Sequence, residues 1–153
     1  MISFDDREME AWLDRLEAAC DALPQIAQQV GAEALGHAVL GARANIYDTP
    51  AGNYRRTGDF LRGLDTRVRA GRGGASVTVL NRVDYGLAVE TGRETVSLAQ
   101  LQQLALLRPD PDAPLTLGRS GLNWQVPAPV VTGAQAFAAR RLLELFERKV
   151  RGR

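Results

Sequence analysis

Residues 64–70 (LDTRVRA) and 75–81 (ASVTVLN) alternate apolar and polar positions on either side of Gly71, Gly73 and Gly74. Period-two alternation suits a strand with one buried face, and a glycine-rich break suits the turn between two such strands. The pattern predicts a β-hairpin with Val68, Val77 and Val79 on one side and polar residues on the other. A lone hairpin is marginal in water, so its apolar side must be covered by other elements. Most of the remaining segments repeat at three and four residues, so helices have to supply the cover.

Residues 4–22 read as an amphipathic helix, with Met9, Leu13, Leu16, Cys20 and Leu23 in register and Trp12 beside them. Ser3 and Asp6 resemble a capping signal, and the acidic first turn suits the helix dipole. Pro24 starts a second helix, whose wide face of Ile26, Val30, Ala34, Leu35, Ala38, Val39, Ala42 and Ile46 implies packing against both a sheet and a helix. A loop follows over Tyr47–Asn53, then a short turn through Phe60 and Leu61 that Thr57 is placed to cap. Tyr85, Leu87, Ala88 and Val89 suggest a short helix closed by Gly92, and residues 97–108 a longer one capped by Ser97. Pro109, Pro111 and Pro114 stop that helix. Leu115–Leu117 and Leu122–Val126 pair as a second hairpin across Gly118–Gly121, or the 108–126 region is a flexible loop until it meets a partner. Thr132 and Gln135 spell a capping box for a last helix with a stripe of Ala134, Ala138, Leu142 and Leu145. The expected fold is α+β: one domain over residues 1–153, with a small antiparallel sheet packed by two N-terminal helices and a C-terminal helix.

Composition excludes more than it identifies. The 153 residues are 45% hydrophobic and 24% charged, which fits an ordinary globular domain rather than a disordered chain. No apolar run approaches the roughly 18 residues that a membrane span needs, and acidic residues stand where a secretory signal needs basic ones. Synthesis and folding in a cytoplasm, with no membrane partner, is the expectation. One cysteine, Cys20, rules out an internal disulfide. A formal net charge of +1 argues against a protein that binds nucleic acid by bulk positive charge.

No constellation points to catalysis. Cys20 and the single histidine, His37, lack an orienting third group at a recognisable spacing, and packing roles account for both. Asp5/Asp6 and Asp110/Asp112 are carboxylate pairs with no histidine beside them, and the glycines at 71–74 lie between strands without a Walker lysine. No enzymatic activity, cofactor or metal is expected. The charge layout is more informative. Met1–Pro24 holds seven acidic and two basic residues, whereas Asn53–Arg72 and Phe137–Arg153 each hold six basic and two acidic. A near-neutral chain with segments of opposite sign is suited to joining its own copies head to tail.

Two segments flank the hairpin: YRRTGDFLRGL at 54–64 and DYGLAVETG at 84–92. Together they resemble the siphophage neck and tail-completion family of minor tail components, which carry a TG-x-L-R box, a β-hairpin and a YA-x-x-VE-x-G box. Pro127-Ala128-Pro129 before the last helix is similar to that family too. The matching positions are Thr57, Gly58, Leu61 and Arg62, then Tyr85, Val89, Glu90 and Gly92. One extra residue separates Gly58 from Leu61, Gly86 stands where alanine is common, and Thr91 replaces a frequent aromatic. Thr57 is expected to cap and turn the chain, Leu61 and Tyr85 to pack under the hairpin, and Glu90 to pair with Arg56 or Arg62.

The resemblance implies a structural virion protein at the head–tail connector or head-proximal tail end. It would sit in a ring that joins capsid and tail around the DNA channel, assembled in the bacterial cytoplasm. Implied partners are further copies of itself, other neck, head-completion and tail-tube proteins, and genomic DNA passing without sequence-specific contact. In isolation the chain is expected to be monomeric or weakly associated, since no long exposed apolar patch is evident in the sequence. One alternative is a tail-completion protein of a contractile-tailed phage or phage-derived particle, whose relatives carry a histidine and an FG box where this chain has Ala88–Gly92. Another is a small DNA-binding protein using the Arg-rich hairpin.

Overall fold

A computed structural model describes residues 6–152 apart from Asn53 and Arg72. Ser3, Asp5 and Arg153, named above for capping or charge, lie outside the described residues, as do the first residue of the 4–22 helix, the last of the 47–53 loop and both ends of the 53–72 basic segment. The elements are α1 (Asp6–Asp21), α2 (Leu23–Ala42), a π-helical turn (Arg43–Tyr47), α3 (Asp59–Arg62), β1 (Leu64–Gly71), β2 (Gly74–Asn81), α4 (Gly86–Thr91), α5 (Leu98–Leu107) and α6 (Val130–Val150). The fold is α+β.

The hairpin forms as its alternation requires. Val68 pairs with Val77 and Thr66 with Val79, which puts all three valines on one face. Val77 and Val79 are buried and Val68 packs against the same cluster. Burying one such side chain stabilises by about 1.5–3 kcal/mol, so two helices must close over the strands. Those helices are α2 and α6, which pack on each other and on the hairpin. They run antiparallel, since Gly41 lies against Val130 while Glu33 pairs with Arg141 near the other end, at 2.6 Å. Small residues on α2 make the approach close: a Cβ on Gly31 would stand 2.6 Å from Val68 Cγ2.

His37 is buried on α2 and stacks on Phe137 of α6, with ring centroids 4.6 Å apart. Burial first, then the Arg108 guanidinium, hold its pKa below the ordinary value, partly opposed by the nearby Ala113 and Asp112 backbone. This is a packing role. Cys20 sits near the end of α1, whereas His37 is about 20 Å along the axis of α2.

Three sequence expectations are corrected. The apolar face of α1 is not packed away: only Ala19 is buried, and Met9, Trp12 and Leu13 remain 47%, 47% and 49% exposed. The second hairpin is absent, because residues 108–129 contain no strand and spend their backbone groups elsewhere. Leu115 O accepts from Asn45 Nδ2 at 2.9 Å, Gly121 N donates to Pro50 O at 2.9 Å, and Ala128 N donates to Val89 O at 2.9 Å. The segment is a strap laid across the ends of α2 and α4.

The capping box of α6 does not form either. The helix begins at Val130, so Thr132 already lies inside its first turn. Gln135 instead reaches the hairpin, where its Oε1 accepts from Val79 N at 2.8 Å and its Nε2 donates to Val77 O at 2.9 Å. It serves the open edge of β2 as a third strand would. The box at Ser97 and Gln100 does form, and Gly92 closes α4 with φ 60°.

Candidate functional site

The two boxes meet at one open cleft of about 590 Å³, beyond the C-terminal end of α2. The π-helical turn brings it about. A five-residue closure, with Asp48 N donating to Arg43 O at 2.8 Å, ends α2 and places Ile46 and Tyr47 on the cleft wall. Such turns are frequent at functional sites. Thr57, Gly58, Asp59 and Phe60 of the first box line it, and so do Tyr85, Ala88 and Val89 of the second. Tyr54, Arg55, Arg56, Arg93, Arg119 and Trp124 complete the lining. Four arginines and four large polar aromatics thus face one carboxylate, that of Asp59.

Among the described residues Arg56 pairs with no acid. Its guanidinium donates to Tyr47 O at 3.1 Å, Thr49 O at 2.8 Å, Thr49 Oγ1 at 3.0 Å and Pro50 O at 2.8 Å. A planar fork of donors suits several carbonyls of one tight loop, and here it holds the 47–50 turn in place. Arg62 pairs with Asp59, which also accepts from the Thr57 hydroxyl. Those two hydrogen bonds, Thr57 first, hold the Asp59 carboxyl below the usual carboxylate range. The expected cap at Thr57 is thereby corrected: Gly58, at φ 80°, is the N-cap of α3, no side chain caps that helix, and the Thr57 hydroxyl goes to Asp59 instead.

Glu90 is the second correction to the box residues. It faces neither Arg56 nor Arg62, but is 5% exposed beneath the start of α6. Its Oε1 accepts from Val131 N at 2.6 Å, and its Oε2 from Thr132 N at 3.2 Å and Thr132 Oγ1 at 3.0 Å. A carboxylate suits the positive end of a helix dipole, and this one arrives from another element to satisfy otherwise orphaned donors. Its arrival is why the local capping box is not used. Burial pushes the Glu90 carboxyl above its ordinary range, and the Val131 and Thr132 donors offset part of that rise.

Leu61 is half-buried against the core, with its N–H donating to Tyr47 Oη at 3.2 Å. Tyr85 does not pack under the hairpin; it is 47% exposed on the cleft wall. Desolvation and the Asp59 and Tyr47 side chains raise its pKa. Val89 lines the cleft and carries the carbonyl that receives Ala128 N. A Cβ on Gly92 would run into the Gln125–Pro127 backbone.

Sequence reasoning missed Arg93, Arg119 and Trp124. Arg93 stacks over the Trp124 ring at 4.1 Å, a cation–π contact worth about 0.5–2 kcal/mol. Arg119 donates to Val126 O at 2.9 Å, and its Nε and the Tyr54 hydroxyl are buried. Burial lowers the Arg119 pKa, with Tyr54 opposing. The one readable signal was a tryptophan and an arginine inside a Gly/Pro-rich segment with no other reason to hold them.

Chemically the arrangement can bind: its lining joins the exposed cations Arg55 and Arg93 to the apolar side chains of Ile46, Phe60 and Val89. Among the described residues no three His, Cys, Asp or Glu side chains are grouped to hold a metal, and no helix is long and apolar enough to cross a membrane. Of the carboxylate pair at 110 and 112, Asp112 is bound to Arg140 and Asp110 accepts from the 112 and 113 amides. Comparison with protein-family models, curated proteins and solved structures finds no match to this chain.

Proposed function

We propose that this protein is a structural subunit of the neck or head-proximal tail end of a phage with a long non-contractile tail. One copy would stand in a ring around the DNA channel, between capsid and tail. The observation that carries the reading is the convergence of the TG-x-L-R-like and YA-x-x-VE-x-G-like boxes. Separated by a hairpin in sequence, they wall a single cleft, and Glu90 of the second ties that cleft to the long C-terminal helix.

Exposed apolar faces support the same reading. Beyond Met9, Trp12 and Leu13 of α1, Leu98, Leu104, Leu106 and Leu107 of α5 are 42%, 42%, 69% and 82% exposed. Side chains of this kind on neighbouring helical turns are suited to contacts made on assembly. The work is mechanical: matching neighbouring rings and leaving a channel open. These faces run against the sequence expectation of no long exposed apolar patch; in the proposed role other neck and tail proteins complete their contacts, and the isolated subunit is monomeric or weakly associated.

Electron microscopy of particles from a lysate lacking this gene tests the proposal. Filled heads beside separate tails of normal length are expected. Intact infectious particles would overturn it and turn attention to DNA binding by the hairpin, where Arg67 and Arg69 are exposed.

A further inference from the structure

The cleft has a complementary surface on the same chain, and the fold keeps the two apart. Glu90 ties the cleft to the first turn of α6, beside the C-terminal end of α2. α1 lies at the other end, where the Arg15 side chain adjoins Gly152 just past the last turn of α6. The 20 residues of α2 span about 30 Å between them.

Every residue from Asp6 to Arg15 is exposed. Met9, Trp12, Leu13 and Leu16 stand at i, i+3, i+4 and i+7, the spacing at which an amphipathic helix seats its anchors in a groove. Asp6, Glu8, Glu10, Asp14 and Glu17 are exposed around that stripe. Arg148 and Arg151 at this same end are paired within α6, to Glu144 and Glu147. The cleft offers the converse: apolar Ile46, Phe60 and Val89, the exposed Arg55 and Arg93, and, among its described lining residues, a lone acid already engaged by Arg62 and Thr57.

We infer that the α1 helix of one copy docks into the Arg/aromatic cleft of the next. The inference rests on the ring reading and names its contact. Donor and acceptor surfaces differ and lie at opposite ends of the subunit, so the contact is heterologous. Each copy gives one helix and receives one, which closes a ring when the rotation per subunit allows it. Apolar anchors supply the holding energy, and the opposed charges set orientation and exclude the reversed arrangement.

Directed cross-linking tests this. In a Cys20→Ser background, Met9→Cys places a thiol on the exposed stripe of α1 and keeps Trp12, Leu13 and Leu16, and Ala88→Cys places one on the exposed cleft wall. Mixed at high concentration and oxidised, the two single-cysteine proteins are expected to give the 9–88 heterodimer in preference to either homodimer. A protein carrying both cysteines should give a ladder. Arg55→Glu with Arg93→Glu, both at exposed positions, should cut the 9–88 yield about tenfold or more, by placing like charges across the contact. Homodimers alone, a yield indifferent to the charge reversal, or no 9–88 link even in assembled particles would each overturn the contact. Loss of head–tail joining on gene deletion, with no 9–88 link in particles, would sink this contact and spare the ring reading. Intact particles on deletion, with the link present in purified protein, would sink the neck role and spare the contact.

Discussion

Glu90 shows how one residue acquires a role from its partners. Three donors from the start of α6 converge on its carboxylate. Glu90→Ala leaves those donors buried without an acceptor, and a loss of about 2–3 kcal/mol in urea unfolding is expected. The pH dependence has a definite sign. Burial raises the folded-state pKa above the ordinary 4.5, so between the two values the folded protein holds a proton that the unfolded chain has released. The stability linked to that proton is complete below about pH 4.5 and is lost as pH rises through the folded value. Glu90→Gln cannot titrate, so its stability should lack this decline. Equal slopes for the two proteins as pH rises from about 4.5 would show that Glu90 does not titrate differently on folding.

Among elements, the strap over residues 108–129 decides the shape of the site. It has no regular structure, yet Asn45, Pro50 and Val89 each bind its backbone. Where it crosses the 47–52 loop, Gly52 and Gly121 meet backbone to backbone, and a methyl group on either would overlap the other. Gly121→Ala should therefore lift the strap, carrying Arg119 and Trp124 out of the cleft, while the α2–α6–hairpin core stays folded. Tryptophan fluorescence should report greater exposure of Trp124, against a reference in which Trp12 is replaced by Phe. An unchanged spectrum would mean that the crossing adjusts without releasing the strap.

At the scale of the whole molecule the charge layout gains a geometry. The acidic helix and the arginine-lined cleft sit at opposite ends of a near-neutral subunit. Attraction between exposed charges is screened over about 10 Å at 0.1 M salt and over about 3 Å at 1 M. Self-association at high protein concentration should accordingly weaken as salt rises from about 0.05 to 0.5 M, seen by sedimentation velocity. Association that strengthens with salt would instead place the driving force on the apolar face of α5.

The sequence by itself determined the elements whose cause is local. Alternation specified the hairpin and the face of Val68, Val77 and Val79; Pro24, Ser97 and Gly92 marked helix ends; the α+β class followed from how a lone hairpin must be covered. The boxes were also legible as segments, but the partners of their side chains were not. Arg56 went to carbonyls of a loop formed by its own neighbours, Glu90 to a helix that starts 40 residues later, and Gln135 to a strand rather than a cap. Short-range pattern lists which groups a residue can bind, whereas burial decides which of them lie within reach and lack another partner. Only the tertiary structure could bring Arg93, Arg119 and Trp124 to one wall, because that depends on where an irregular strap crosses the end of α2.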